Sequence, residues 1–359
     1  MVDALMRRAL QLAARGRGRT SPNPMVGATI IAADGTIVGD GWHQQAGTPH
    51  AEIHAIANAG RRARGATLLC TLEPCCHRGR TGPCTDAIIA AGISRVVAAV
   101  EDPNPQMAGQ GLARLRAHGV DVVCGVEGDA STLLNAAFFM TMRQARPWVI
   151  AKAGVSADGR VAAGPGVRTS ITSTASLRRA QRLRAEVDAI AVGVETVLSD
   201  DPLLTVREVF RPRPLTRVIM DRRLRTPPSA RMLSTLDAGP VVVATTADAL
   251  ESHGEAARRL AGVGATLVAT DGSVHATLGA LAAHGVQSVL VEGGPRIHAA
   301  FADAGMIDEV QLFVAQDVYL PGGLPFAPMP GLTLASLDQL QVEPIGNDVL
   351  VRGYVHRPH

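Results

Sequence analysis

Apolar and polar positions alternate between two regimes along the chain. Short apolar runs such as ATLLCTLEP (66–74), ISRVVAAV (93–100) and VDVVCGV (120–126) read as buried strands, and the stretches between them carry apolar residues three and four apart, as helices do. The first half predicts a helix over 3–15, strands over 26–32 and 36–42, a helix from about 50, and the strand 66–74. Next come a helix over 85–92, the strand 93–100, a helix over 107–118, the strand 120–126 and a helix over 129–142. Helices between apolar strands imply a layered α/β domain. In TMRQARPW (141–148) the helical pattern gives way to charge and Pro147, which places a boundary near 145 and domains at 1–145 and 146–359. The second half predicts strands at 148–155, 188–194, 217–221, 241–246, 265–270, 287–293, 308–315 and 348–355. Helices at 173–186, capped by Thr172 or Ser173, and at 274–284 and 296–304 complete a mostly parallel α/β sheet.

Composition narrows the function classes. A chain of 359 residues with 47% hydrophobic and 19% charged positions is globular and too long for one ordinary core. The net charge of +3, with dispersed arginines and 3% aromatic residues, argues against a nucleic-acid or membrane surface and suits a small phosphorylated ligand. No uncharged apolar run reaches the roughly 18–20 residues that span a bilayer, and MVDALMRRALQLAARGRG reads as a first helix rather than a targeting segment. A soluble, cytoplasmic protein is expected. Four of the five cysteines (Cys70, Cys75, Cys76, Cys84 and Cys124) fall within fifteen positions, which fits metal binding better than disulfides.

The stretch TPHAEIHA (48–55) sets two histidines four apart with a glutamate between them. In a metalloprotease the glutamate directly follows the first histidine; here Glu52 comes one place later and would point some 200° away on an ideal helix. If His50 instead stands at the helix entrance after Pro49, its non-helical backbone can turn the imidazole and Glu52 towards one pocket. Downstream, TLEPCCHRGRTGPC supplies Cys75 after Pro74 and Cys84 nine residues later. HxE followed by PCxxC is the zinc-deaminase pattern, met here with eight residues between the cysteines instead of two: one histidine and two thiolates hold Zn2+, the fourth position admits water, and the unligated glutamate moves protons. A structural zinc among the cysteines is the plainer alternative, Cys76 rivals Cys75, and His54 reads as a packed side chain.

With these residues in place, the chain resembles the bifunctional deaminase/reductase of riboflavin biosynthesis over nearly its whole length. SPNPMVGA (21–28), GWHQQAGTPHAEIHA (41–55), TLEPCCHRGRTGPC (71–84) and EDPNPQMAGQG (101–111) are similar to its deaminase motifs in its order, including the long spacing between cysteines. The resemblance implies a cytidine-deaminase-like layered domain with His50, Cys75 and Cys84 on zinc and Glu52 as acid/base. Asn23, His43, His77, Arg80 and Asp102 become substrate-pocket candidates, although Asn23 and Asp102 also fit turn chemistry beside proline.

AKAGVSADGRVA (151–162), SITS (170–173), LRAEVDAI (183–190), VGVETVLSDDPLLTVR (192–207) and VEGGP (291–295) resemble the family's reductase, a dihydrofolate-reductase-like domain. That resemblance implies NADPH at Gly154, Ser170, Thr196, Asp200 and the turn Gly293, Gly294, Pro295, Arg296, Ile297, His298, Ala299. It implies substrate near Arg184, Leu204, Arg207 and Glu292, with Lys152 a further site candidate. Two glycines between a buried strand and a helix allow a cofactor phosphate to approach backbone amides, although the chain lacks GxGxxG. Arg178, Arg179 and Arg182 read as solvated. The family usually has Ser-x-Trp-Ile-Thr where this chain has Arg168, Thr169, Ser170, Ile171 and Thr172, so an aromatic surface is missing and Arg168 is free to meet a phosphate. The expected partner is a phosphorylated pyrimidine, with no nucleic acid or membrane; homo-oligomerisation stays open.

Overall fold

The computed structural model describes residues 2–77, 82–167, 169–326 and 334–357, and the chain divides into two compact units, Met1–Gln144 and Ala145–Arg357. The first contains α1 (Val2–Ala14), β1 (Gly27–Ile31), β2 (Ile37–Trp42), α2 (Ala51–Ala59), β3 (Thr67–Cys70), α3 (Cys84–Ala91), β4 (Arg95–Ala98), α4 (Gln110–Ala117), β5 (Asp121–Cys124), α5 (Gly128–Leu134) and α6 (Ala136–Gln144). The sheet order is β2-β1-β3-β4-β5, with β1 antiparallel to both neighbours and β3, β4 and β5 parallel. Ala28, Ile30, Leu68, Val96 and Ile88 build a core between sheet and helices. Glycines in β2 let α2 lie directly on it: a Cβ at Gly39 or Gly41 would run into the Ala55 or Ala51 carbonyl oxygen. That close approach fixes where His50 and Glu52 point.

The single helix expected over 129–142 is two, α5 and α6. Asn135 leaves helical geometry between them, and its side chain accepts from the Met25 amide (2.7 Å) and donates to the Met25 carbonyl (2.9 Å). The break thus anchors the SPNPMVG segment. The expected strand 66–74 stops at Cys70, leaving Leu72, Glu73 and Cys75 in a loop.

The second unit contains β6 (Trp148–Ser156), β7 (Arg160–Ala162), α7 (Thr174–Glu186), β8 (Ala189–Gly193), α8 (Val194–Asp200), β9 (Thr216–Met220), β10 (Val241–Thr246), α9 (Ala247–Ser252), α10 (Gly254–Gly262) and β11 (Thr266–Thr270). After these come α11 (Val274–Ala283), β12 (Ser288–Val291), α12 (Pro295–Asp303), β13 (Glu309–Ala315), β14 (Leu324–Pro325), β15 (Asp338–Ile345) and β16 (Asp348–Tyr354). Nine strands form one sheet in the order β11-β10-β9-β8-β12-β6-β13-β16-β15, parallel from β11 to β13. β16 is antiparallel to β13 and β15. The sequence pattern assigns no helix to 247–262 and no strand to 338–345. α9 and α10 are short and broken at His253, and β15 is an edge strand whose alternating Leu340 and Val342 stay exposed and whose run is interrupted by Pro344. No helix among the described residues is long and apolar enough to cross a membrane.

Candidate active sites

His50 is the residue before α2, with extended backbone (φ −75°, ψ 168°), so its imidazole leaves the helix direction while Glu52 lies in the buried first turn. Cys84 opens α3 and its amide donates to Cys75 Sγ at 3.4 Å. His50 Nδ1 lies 3.5 Å from Cys75 Sγ and 3.3 Å from Cys84 Sγ, and the three donor atoms sit within 4.8 Å of one another. Tetrahedral zinc with bonds of about 2.0 Å to nitrogen and 2.3 Å to sulfur would place N and S about 3.6 Å apart, so this donor set fits the metal. Cys76 and His54 lie outside the cluster.

The cluster's electrostatics favour a thiolate. Hydrogen bonds from Cys84 and His50 draw the Cys75 thiol down to about 4 against the pull of burial, while Cys84 is pushed up because the two sulfurs share a proton. Burial raises Glu52 to about 6, opposed by His50, and its Oε2 is buried with no hydrogen-bond partner among the described residues.

Glu52 faces a cavity of about 500 Å³. His43 lines it edge-on to His50 (5.2 Å between rings); its Nδ1 faces the Pro49 carbonyl (3.2 Å) and its Nε2 the Asn23 amide (3.1 Å). That network assigns the Nδ1–H tautomer, with the Asn23 NH₂ donating to Nε2, and burial lowers the imidazole pKa. His77 and Asp102 also line the cavity; burial raises Asp102. Arg80 lies outside the described residues. Sequence reasoning missed Asn104, Met107, Phe138 and Met142 in the same wall. Asn104 and Met107 stood inside the quoted EDPNPQMAGQG; Phe138 and Met142, four apart on α6, look like core.

In the second unit Thr196 follows β8, Glu292 and Gly293 follow β12, and Lys152 and Gly154 lie from the middle of the adjacent β6 onward, on the side where open parallel sheets bind ligands. Arg184 grips Glu292 with two hydrogen bonds (3.0 and 2.7 Å), and Lys152 Nζ stands 3.9 Å from the same carboxylate. Burial alone would raise Glu292, but Lys152 and Arg184 together hold it down at about 2. Gly293 has φ +127°, and a Cβ there would stand 2.9 Å from Thr196 Oγ1; Gly294 and Pro295 open α12. Thr172 crowds the face of Gly154 in the same way, at 3.0 Å. Leu204 is buried with φ +53°, a left-handed conformation that costs a bulky residue about 1–3 kcal/mol and is held in place by its surroundings. Asp200 ends α8 on the surface, Arg207 is exposed, and Arg296 reaches Glu195 at 3.9 Å. Ser170 is exposed; Arg168 lies outside the described residues.

His298 is fully buried, edge-on to Phe326 at 5.4 Å, and neither ring nitrogen has a hydrogen-bond partner among the described residues. Its side chain turns inward, as does that of Ile297, leaving the backbone of this turn for any cofactor. Desolvation and the nearby Lys152 lower His298 to about 4, with Glu292 opposing. The unfolded chain therefore takes up a proton near 6.5 and the folded unit only near 4. Stability of this unit is expected to fall by up to about 1.4 kcal/mol per pH unit between those values. Urea unfolding of full-length protein carrying Trp42→Phe, followed by Trp148 fluorescence from pH 7 to 5, checks it; His298→Leu should flatten the slope.

Residues 2–100 match the family described as "Cytidine and deoxycytidylate deaminase zinc-binding region", and 147–351 match the "RibD C-terminal domain". The riboflavin biosynthesis protein RibD of Aquifex aeolicus is 42% identical, spanning 87% of this chain and 86% of its own. The chain belongs to the RibD family. The solved structure of Acinetobacter baumannii RibD superposes with a TM-score of 0.85 at 31% identity, over 98% of both chains. A Thermotoga maritima structure, titled diaminohydroxyphosphoribosylaminopyrimidine deaminase/5-amino-6-(5-phosphoribosylamino)uracil reductase, gives 0.83 at 34% over the same shares. As in other RibD chains, a cytidine-deaminase-like domain precedes a dihydrofolate-reductase-like one, with zinc serving the first and NADPH the second.

Proposed function

We propose that residues 1–145 hydrolyse the 2-amino group of 2,5-diamino-6-(5-phosphoribosylamino)pyrimidin-4-one. Residues 146–359 then reduce the ribosyl chain of the product to ribityl with NADPH, in the cytoplasm. The observation that carries the first step is the buried Glu52 Oε2, without a hydrogen-bond partner among the described residues, beside the His50–Cys75–Cys84 cluster and facing the cavity. Zinc bound by His50, Cys75 and Cys84 would lower the pKa of a water molecule towards neutrality. Glu52 takes the proton that this water loses, delivers it to the ring nitrogen next to the attacked carbon, and later assists departure of ammonia as the C–N bond breaks. His43, fixed between Asn23 and Pro49, presents one face of the cavity to the ring.

For the second step, NADPH bound at Gly154, Thr196 and the Gly293–Ala299 turn would supply the hydride for the opened sugar carbon. Glu292, clamped by Arg184, holds Lys152 beside the reacting end, and the exposed Arg207 is available to the phosphate. A second reading, a weakened reductase, rests on the exposed Ser170, which offers no ring to the nicotinamide. NADPH oxidation with the deaminated intermediate separates the two, and Ser170→Trp should raise the rate only under the second.

Removing the metal is the direct test of the first step. Dialysis of the full chain against a zinc chelator should remove one zinc ion per chain and abolish ammonia release, leaving NADPH oxidation with the deaminated intermediate intact. Zinc returned to the protein should restore the lost step. Ammonia release that persists in metal-free protein would overturn the proposal.

A further inference from the structure

Glu73 stands two residues before Cys75 and borders the same cavity, but has no part in the chemistry above. Its side chain is buried, yet four backbone amides converge on it. Gly111 and Leu112 donate to Oε1 at 2.7 and 3.2 Å, and Asp102 and Gly109 donate to Oε2 at 3.0 and 2.9 Å. Two of these donors belong to the first turn of α4, where amides have no partner within the helix. The other two begin and end the segment that carries Asn104 and Met107 to the cavity wall. Inside the segment the bonds are local: the Asn104 amide donates to Asp102 Oδ1 (2.9 Å), and the Met107 amide to the Asn104 carbonyl (2.8 Å). The loop presses so closely on the Glu73–Cys75 stretch that a Cβ at Gly111 would strike the Pro74 carbonyl.

We propose that Glu73 is a positioning residue for deamination: its carboxylate fixes the 102–112 loop so that Asp102, Asn104 and Met107 form the wall against which the pyrimidine substrate is held. The inference rests on the reading of the first unit as the deaminase. A carboxylate suits four converging donors because it is acceptor-only; an amide would turn one NH₂ group towards two N–H groups. The loop would then lose its fixed position while Glu52 and the zinc residues keep theirs.

Steady-state ammonia release by full-length Glu73→Gln tests this. The KM for the pyrimidine is expected to rise roughly tenfold or more, as for a buried acceptor left wrongly paired, with kcat changed by less than about threefold. Zinc content and NADPH oxidation should match the native chain. Asn104→Ala should raise KM in the native background and add little in Glu73→Gln, because the loop it acts through is already displaced. Glu73→Asp, which keeps both acceptors on a shorter stem, should give an intermediate KM and supplies the measurement if the glutamine variant does not fold. An unchanged KM, fully additive effects, or loss of zinc in step with activity would each overturn the proposal. If the native chain itself releases no ammonia, the deaminase reading fails instead.

Discussion

Replacing Glu52 by glutamine is expected to slow ammonia release by roughly 10²–10⁴-fold, the range over which a positioned proton carrier acts. Zinc should stay bound at the native stoichiometry, because the cluster consists of His50, Cys75 and Cys84 without the glutamate. Reduction of the deaminated intermediate should be untouched. The fold should not suffer either: Glu52 is buried and its Oε2 has no partner among the described residues, so the neutral amide gives up no hydrogen bond to them at that atom and is easier to bury. Unfolding at or above the native midpoint, together with the kinetic loss, is therefore the expected pair of results. Deamination at the native rate, or metal lost along with activity, would sink the role assigned to Glu52.

The convergence of His50, Cys75 and Cys84 was legible in the sequence because coordination chemistry restricts residue type and spacing together. HAE at a helix entrance and PC with a second cysteine nine residues on leave few alternatives, and the structure brings those side chains to one point. The alternation of apolar runs and helical periods likewise marked the α/β layers, since each buried strand must read apolar whatever it is next to. Glu73 was not legible. Its four partners are backbone amides, which every residue but proline carries, so nothing in EDPNPQMAGQG signals that the loop closes on the glutamate of TLEPC. The same holds for Arg217, a fully buried guanidinium that bonds the carbonyls of Met232 and Thr235 and the Thr235 hydroxyl. The split between α5 and α6 escaped because Asn135 is tolerable within a helix by propensity; only its tertiary clamp on Met25 makes it a break.

In the second unit, Glu292→Gln is expected to cost about 3–5 kcal/mol of stability at pH 7, because it leaves Arg184 and Lys152 largely buried with their shared carboxylate gone. Proton linkage gives a figure of the same order. With a folded value of about 2 against 4.5 for the unfolded chain, the carboxylate contributes roughly 3 kcal/mol above pH 4.5. The sign is that of a depressed acid: the contribution is fully present above the unfolded value and disappears as pH falls through the folded one. Native and variant curves should therefore run apart at pH 7 and converge between pH 4.5 and 2, a window below the one in which His298 acts. Urea unfolding of the Trp42→Phe chain, read by Trp148, resolves both effects in one titration. Reduction should fall as well, because Lys152 loses the group that fixes its ammonium, whereas ammonia release should not change. A variant as stable as the native chain at pH 7, or a stability gap that persists unchanged at pH 3, would show that the cluster is not held together by this carboxylate.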